Sequence, residues 1–442
     1  IGSDRRFALQ PTASTMNQRM TVAKNVDGQW RITEVADGLL LSMADVDRTY
    51  RPWVVYFVTK DMSRLVTDSI MLPVSLQGTA TALVQALLSP PPAQLALVAT
   101  TAVPPGTRLT YGSVPVSDGI AEVDLSSDVL SADRSVRRAL TAQLVFTLGQ
   151  LATVGGVRLT VSGQQLTVPG IKAVTRTRDW PMFNPVSIVG TQYTAAGKVV
   201  ERIDGTVAAT KPARLTGEIA RMAVDPVAGR IAAVTGSGTQ LSVTSGDAPA
   251  LRLVHSGAAM TTPTWDRDGT VYIPDFGIGV TAVPASGKPI RVDVDRSALG
   301  TAAQVKYLAV GPDGVRMAAV LSAGTSDVLA LGSLAPTQAG TSIVGLRRID
   351  RGLAAVRDIA WLGPSSLLIL GTDSTGGNLI TVNVANGAVQ SNPAPAGAQS
   401  LAVDASGGVY VVVADATGST VVKRGYGRWT TVAPASAVAF GP

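Results

Sequence analysis

Few side chains in this sequence are of a type that does chemistry, and they are scattered. The only histidine, His255, stands between Val254 and Ser256 at the end of a strand-like run, and cysteine is absent. A nucleophilic triad needs such an imidazole beside an activated serine. No Gly-x-Ser-x-Gly elbow and no Ser-x-x-Lys pair occurs here. With one imidazole and no thiolate, a zinc centre would draw most of its ligands from carboxylates, an uncommon donor set. Gly277-Ile278-Gly279 lacks the third glycine and the following helix of a phosphate-cradling loop. No catalytic, cofactor-binding or metal-binding residue is assigned, no cofactor is implied, and the chain reads as a non-enzyme. The missing cysteines also remove disulfides and leave the compartment undecided.

Asp225, Asp266 and Asp404 occupy equivalent places in a repeated pattern and can be imagined as a ring of carboxylates. Aspartate is also the common first residue of a tight turn, where it bonds its own backbone. Gly311, Gly363 and Gly441 stand at the matching places, and glycine serves turns rather than acid–base work, which favours the turn reading. Trp265, Trp361 and Phe440 share a register with Val224, Val310 and Val403, a pattern of packing between sheets, with a ligand-stacking platform as the alternative. Glu122 and Asp124 alternate with Val123 and so are expected on a solvated strand face. Basic residues form small groups (Arg137-Arg138, Lys172 to Arg178, Arg347 to Arg357) without interleaved aromatics, as expected of solvated faces. The net charge of +6 is modest for this length, and no nucleic-acid partner is expected.

The pattern that positions these residues is a recurring hairpin. Met222 to Val234 runs apolar, turns at Asp225-Pro226 and Gly229, and runs apolar again; the grammar returns at 263–273, 308–320, 359–370 and 401–412 and half-returns at 438–442. A hairpin every ~40–50 residues is the spacing of propeller blades. Six anchors predict six blades, with Val438 to Pro442 supplying an inner strand to a blade begun near 188–215. The composition agrees: 46% hydrophobic, 15% charged, 45 glycines and 26 prolines among 442 residues describe a β-rich chain with a sizeable core. No run approaches the ~18–20 apolar residues that cross a bilayer as a helix.

Ahead of that array, Gln18 to Val22 and Gln29 to Val35 predict a hairpin about Asp27-Gly28, ended by Asp37-Gly38. It should lean on the next domain, because a lone hairpin is marginal in water. Trp53 to Thr59 and Ser69 to Pro73 predict strands, Thr79 to Leu88 a helix stopped by Pro90-Pro91-Pro92, and Arg108 to Val116 with Ile120 to Leu125 a strand pair. Leu130 to Leu151 predicts the longest helix, with Asp133 in its first turn, and Val157 to Val161 a last strand. This order predicts an α+β sandwich, two helices on one face of a small sheet. The expected division is a remnant of an incomplete N-terminal domain at 1–46, an α+β domain at 47–171, a linker at 172–187 and an all-β propeller at 188–442. Ile1-Gly2-Ser3, without an initiating Met, reads as a cloning scar on a fragment of a longer chain.

The 79–167 segment resembles the GerMN domain, first seen in spore-germination proteins. The resemblance is carried by Leu87 to Pro92, Pro105-Gly106-Thr107-Arg108-Leu109, Asp118 to Ser126, Gln143 to Leu148, and Val157 to Val161 before Gly163. Gln29 to Thr33, Asp37 to Leu41 and Arg48 to Pro52 are similar to the segment ahead of this domain in the actinobacterial LpqB lipoprotein family, and the propeller behind it completes that order. The resemblance implies an extracytoplasmic, membrane-anchored lipoprotein held through an acylated Cys absent from this fragment. It implies partnership with the extracellular domain of a sensor histidine kinase (MtrB-like, of the MtrA–MtrB two-component system) in envelope homeostasis and cell division. The alternative is an envelope glycan- or peptide-binding protein that takes peptidoglycan fragments. The contact residues on either reading stay unassigned.

Overall fold

The computed structural model describes residues 1–2, 4–7, 17, 19–35, 41–168, 170–185, 190–203, 217–245, 248–300, 303–324, 326–338, 340–350, 353–373, 376 and 378–441. Gln18, Asp37-Gly38, Pro442 and part of the 188–215 stretch, on which expectations fell, lie outside the described residues.

Met20–Lys24 (β1) and Trp30–Val35 (β2) form the expected hairpin, with Asn25 Oδ1 accepting from the amides of Asp27 and Gln29 and Gly28 at φ 76°. It does not lean on the next domain. Both strands are exposed along their whole length, Val22, Trp30 and Ile32 included.

Met43–Thr49 (α1) leads into Tyr50–Thr59 (β3) and Leu65–Pro73 (β4), an antiparallel pair of long apolar strands. Thr79–Leu88 (α2) and Ala93–Ala96 (α3) follow, then Ala99–Thr100 (β5), which pairs only with the end of β3. A second sheet holds Val116–Ser117 (β6), Ile120–Leu125 (β7), Gly156–Val161 (β8), Gln164–Gln165 (β9) and Val174–Thr175 (β10). Between the sheets runs Arg134–Leu148 (α4), capped by Asp133, whose carboxylate accepts from the amide of Val136 at 2.9 Å.

The single sheet expected here is therefore two sheets. The reason lies on α4 and the turn that follows it. Gln143, Thr147 and Gln150 bond the open edge of β3: Thr147 Oγ1 and Gln150 Oε1 accept from the amides of Tyr56 and Val54, and Gln143 Nε2 donates to the Tyr56 carbonyl. Gln143 Oε1 also accepts from the Ala102 amide. A helix face thus satisfies backbone groups that another strand would otherwise pair. Arg108 to Val116 is not a strand. Gly112 turns the chain at φ 65°, and Leu109 touches Leu125 only through an isolated bridge. Of the linker expected at 172–187, the described residues 172–185 are not a free connection either. β10 extends the second sheet beside β8, and Trp180 and Phe183 are buried in this domain's core, Trp180 Nε1 donating to Thr175 Oγ1 at 2.8 Å.

Beyond 190, among the described residues, the chain forms strands and turns without helix. The innermost strands Ile219–Val224, Thr264–Trp265, Gln304–Val310, Leu353–Trp361, Ala398–Val403 and Ala437–Gly441 stand around one axis, each touching the next. All but the last open a four-stranded antiparallel meander. The last pairs with Thr191–Ala196, from Thr191 opposite Gly441 to Ala195 opposite Ala437, so the chain's end closes the ring on the propeller's beginning, as the sequence pattern predicts. Two meanders are also joined at their outer edges, Ile290–Val294 running parallel to Gly340–Arg348, which removes an exposed edge.

The first domain sits on the turns of the propeller. Arg64 pairs with Asp268 at 3.0 Å, Thr67 Oγ1 donates to Asp313 Oδ2 at 3.4 Å, and Asn386 Nδ2 donates to Asp47 Oδ1 at 3.4 Å. Val315 of the propeller is buried within the first domain's core cluster.

Candidate functional site

Where each innermost strand meets its turn, the ring opens into a funnel of 310 Å³. Its wall carries the apolar register read from the sequence: Val224, Trp265, Val310, Trp361, Val403 and Phe440 all line it. The tryptophans do not offer free faces. Trp265 Nε1 donates to the carbonyl of Ala223 at 3.2 Å and Trp361 Nε1 to that of Ala309 at 2.9 Å, each reaching the preceding meander. The guanidinium carbons of Arg230 and Arg316 lie 4.9 and 5.1 Å from the centroids of those rings, and Phe440 packs against Tyr410 with centroids 4.7 Å apart and rings tilted by 50°. The aromatic register is blade-to-blade packing.

The aspartates of the turns are consumed in the same way. Asp225 Oδ1 accepts from the amides of Val227 and Ala228, and its Oδ2 accepts from Arg230 Nε and Nη2 at 3.0 and 2.8 Å. Asp266 accepts from the amides of Asp268 and Thr270 and from the Tyr272 hydroxyl. Burial pushes its pKa up against those bonds. Asp404 accepts from the amides of Ser406 and Gly408, bonds that outweigh burial and hold its carboxyl below the ordinary range. A fourth member was not found in the sequence. Asp313, two places after Gly311, accepts from the amides of Val315 and Arg316 and pairs with Arg316 Nε at 2.7 Å. Its signal, an Asp three residues ahead of Arg, is shifted relative to Asp225 and Arg230.

One further charge lines the funnel. Arg267 Nη1 donates to the carbonyls of Asn184, Pro185 and Pro312 at 3.2–3.4 Å, which fastens the inter-domain connection over the wall. Burial and the neighbouring Arg64 charge hold its pKa below the usual guanidinium value, against the pull of Asp313 and Asp268. Deeper in, Asp358 accepts from Thr262 Oγ1 at 2.9 Å and from the Leu401 amide at 3.0 Å, joining three meanders across the axis. Neither this cluster nor the turn aspartates leaves a carboxylate free for proton transfer; what the funnel offers is a shaped, mainly apolar concavity.

The other singled-out residues lie elsewhere. His255 is half-buried on an outer strand, opposite Leu241. Gly277 and Gly279 bracket a hairpin turn at φ 86° and 140°. Glu122 pairs with Arg158 at 2.6 Å. Asp124 is not solvated: it is buried, accepting from Thr160 Oγ1 and the Gly163 amide, and these bonds overcome burial to lower its pKa. Its face is covered by the turn after β8, which strand alternation alone does not reveal. Among the described residues no group of three or more His, Asp and Glu converges to hold a metal. No helix among them is long and apolar enough to cross a membrane.

Residues 193–442 match the family model described as the lipoprotein LpqB beta-propeller domain, and residues 54–167 match the one described as sporulation and spore germination. Lipoprotein LpqB of Thermobifida fusca is 26% identical over 428 residues, covering 84% of this chain and 67% of that protein. Lipoprotein LpqB of Cutibacterium acnes is 26% identical over 399 residues, covering 83% of this chain and 66% of that one. The chain thus spans about two thirds of the length of these curated relatives. TolB from Acinetobacter baumannii superposes with a TM-score of 0.43 at 12% identity, over 74% of this chain and 88% of that one, too slight a likeness to carry an argument. Neither family description names an enzyme. A GerMN domain followed by a propeller, in this order and over these residues, places the chain in the actinobacterial LpqB lipoprotein family.

Proposed function

We propose that this chain is the extracytoplasmic part of a lipid-anchored envelope protein that binds a membrane sensor kinase of MtrB type through that kinase's extracellular domain and modulates it. The observation that carries the reading is the funnel: a concavity whose carboxylates are all engaged by turn amides, arginines or hydroxyls, on a rigid ring, is built to recognise rather than to react. Family membership supports the choice of partner, and lipoprotein relatives support anchoring at the outer face of the membrane. Three turns of the rim dock the first domain, while Ala405, Ser406 and Gly407 of the turn at 404–408 are exposed, which supports that turn as the place for a partner.

The test is binding of the kinase's purified extracellular domain to this chain by biolayer interferometry, beside an Ala405→Glu variant that places a charge on the rim. Saturable binding lost in the variant supports the proposal. Undetectable binding at high micromolar concentration with both proteins folded refutes it. Saturable binding of peptidoglycan fragments in its place would favour the envelope-ligand alternative, for which the funnel's size is suited.

A further inference from the structure

The larger cavity is not in the propeller axis but at the joint of the two domains, with a volume of 430 Å³. The N-terminal residues, β4 and α3 form one wall, and the third and fourth meanders form the other. Four arginines line it. Arg6 Nε donates to Asp68 Oδ2 at 2.7 Å, Arg316 is taken by Asp313, and Arg348 pairs with Asp350 at 2.9 Å. The Arg347 guanidinium makes no hydrogen bond or ion pair with any described residue, although the residue faces the cavity. Arg6, whose Nη1 also lies 3.5 Å from Asp4 Oδ2, keeps its Nη2 buried without a hydrogen-bond partner. The hydroxyls of Ser69 and Ser333 also line the space, and neither is engaged by a described residue.

A half-buried guanidinium without an anion beside it is an open counter-ion site, and burial lowers the pKa of Arg347, which the Asp68 charge opposes. Charge grouping along the sequence predicts a solvated face for Arg347; the structure turns it inward. We propose that this cavity binds a small ligand bearing an oxyanion, a carboxylate or a phosphate, with Arg347 as the principal counter-ion and Arg6, Ser69 and Ser333 as further donors. Because its walls come from both domains, the bound ligand would tie one to the other. This site is separate from the funnel and does not depend on the kinase proposal.

The experiment is isothermal titration of the whole chain with inorganic phosphate and with malonate at constant ionic strength, chloride serving as the control, on wild type and Arg347→Gln. Saturable binding of phosphate or malonate, weakened at least tenfold in Arg347→Gln, is expected; which of the two binds more tightly tells a phosphate source from a carboxylate source. Without ligand, Arg347→Gln should melt at or above the wild-type temperature, since it removes an unpaired, half-buried charge. No saturable binding of either anion, equal binding by the variant, or a variant that melts several degrees lower in chloride would each overturn the proposal. Ser69→Ala gives a second readout, with affinity reduced and melting unchanged.

Discussion

Replacing Arg316 by alanine should cost more than any other single change on the propeller surface facing the first domain. Arg316 and Asp313 are 5% and 1% exposed, joined at 2.7 Å. The arginine also donates to the Pro364 carbonyl and lies over Trp361. Removing one partner of a buried pair leaves the other charge uncompensated, a loss of about 3–5 kcal/mol. Arg230 provides the internal control. It repeats the arrangement with Asp225 and Trp265, but its side chain is 17% exposed, so water reaches the site and Arg230→Ala is expected to cost less, about 1–3 kcal/mol. Arg316→Leu combined with Asp313→Asn should recover more than half of the loss, because Asn Oδ1 can still accept from the amides at positions 315 and 316 while the stranded charge is gone. Urea unfolding followed by tryptophan fluorescence measures all four proteins. A cost below about 1 kcal/mol for Arg316→Ala, or a larger one for Arg230→Ala, would refute the reasoning from burial.

Gln143→Leu on α4 leaves the Tyr56 carbonyl and the Ala102 amide unpaired in a buried place, and should lower stability by about 2–4 kcal/mol in the same assay. Burial raises the phenols of Tyr56 and Tyr307 to about 12; absorbance titration of Tyr56→Phe and Tyr307→Phe against wild type should show each variant missing one group that ionises near that value and none near 10. Burial also raises the Asp358 carboxyl, against the pull of Arg221 and its hydrogen bonds. Its contribution is therefore fully present below the ordinary carboxylate range and lost as pH rises through the raised value, so wild-type stability minus that of Asp358→Asn should fall across that interval, and a rise would contradict the assignment. Trp30→Ser on the exposed hairpin should change global stability by less than about 0.5 kcal/mol, a result checked by the shift of the urea midpoint.

The propeller was legible because turn chemistry repeats: Asp-Pro, Asp-Gly and Gly-Pro punctuate apolar runs at Asp225, Asp313 and Gly363, and the half-copy at Val438 does close the ring. The turn role of Asp225, Asp266 and Asp404 was legible for the same reason. The first domain was legible as helices and strands but not as an arrangement. Hydrophobic periodicity identifies the stripe of Leu140, Leu144 and Leu148 on α4 but is silent about Gln143 and Gln150, whose amides take the place of a strand. The inward turn of Arg347 and the burial of Asp124 were invisible too, since each depends on a surface supplied by residues far away in sequence. The hairpin β1–β2 shows the opposite failure: a lone hairpin is marginal in water and was expected to lean on the next domain, and no described residue covers it.

The seam between Thr191–Ala196 and Ala437–Gly441 ties the folding of the propeller to the order of its synthesis. Until Ala437–Gly441 has left the ribosome, the growing structure is an arc with two bare borders, each able to recruit a foreign strand. Joining such distant ends adds little to the equilibrium free energy, since loop entropy grows only with the logarithm of length, but the search is slow. A premature stop or a proteolytic cut shortly before Ala437 would keep all five four-stranded meanders and still lose the closing strand, which makes those few positions disproportionately sensitive to damage.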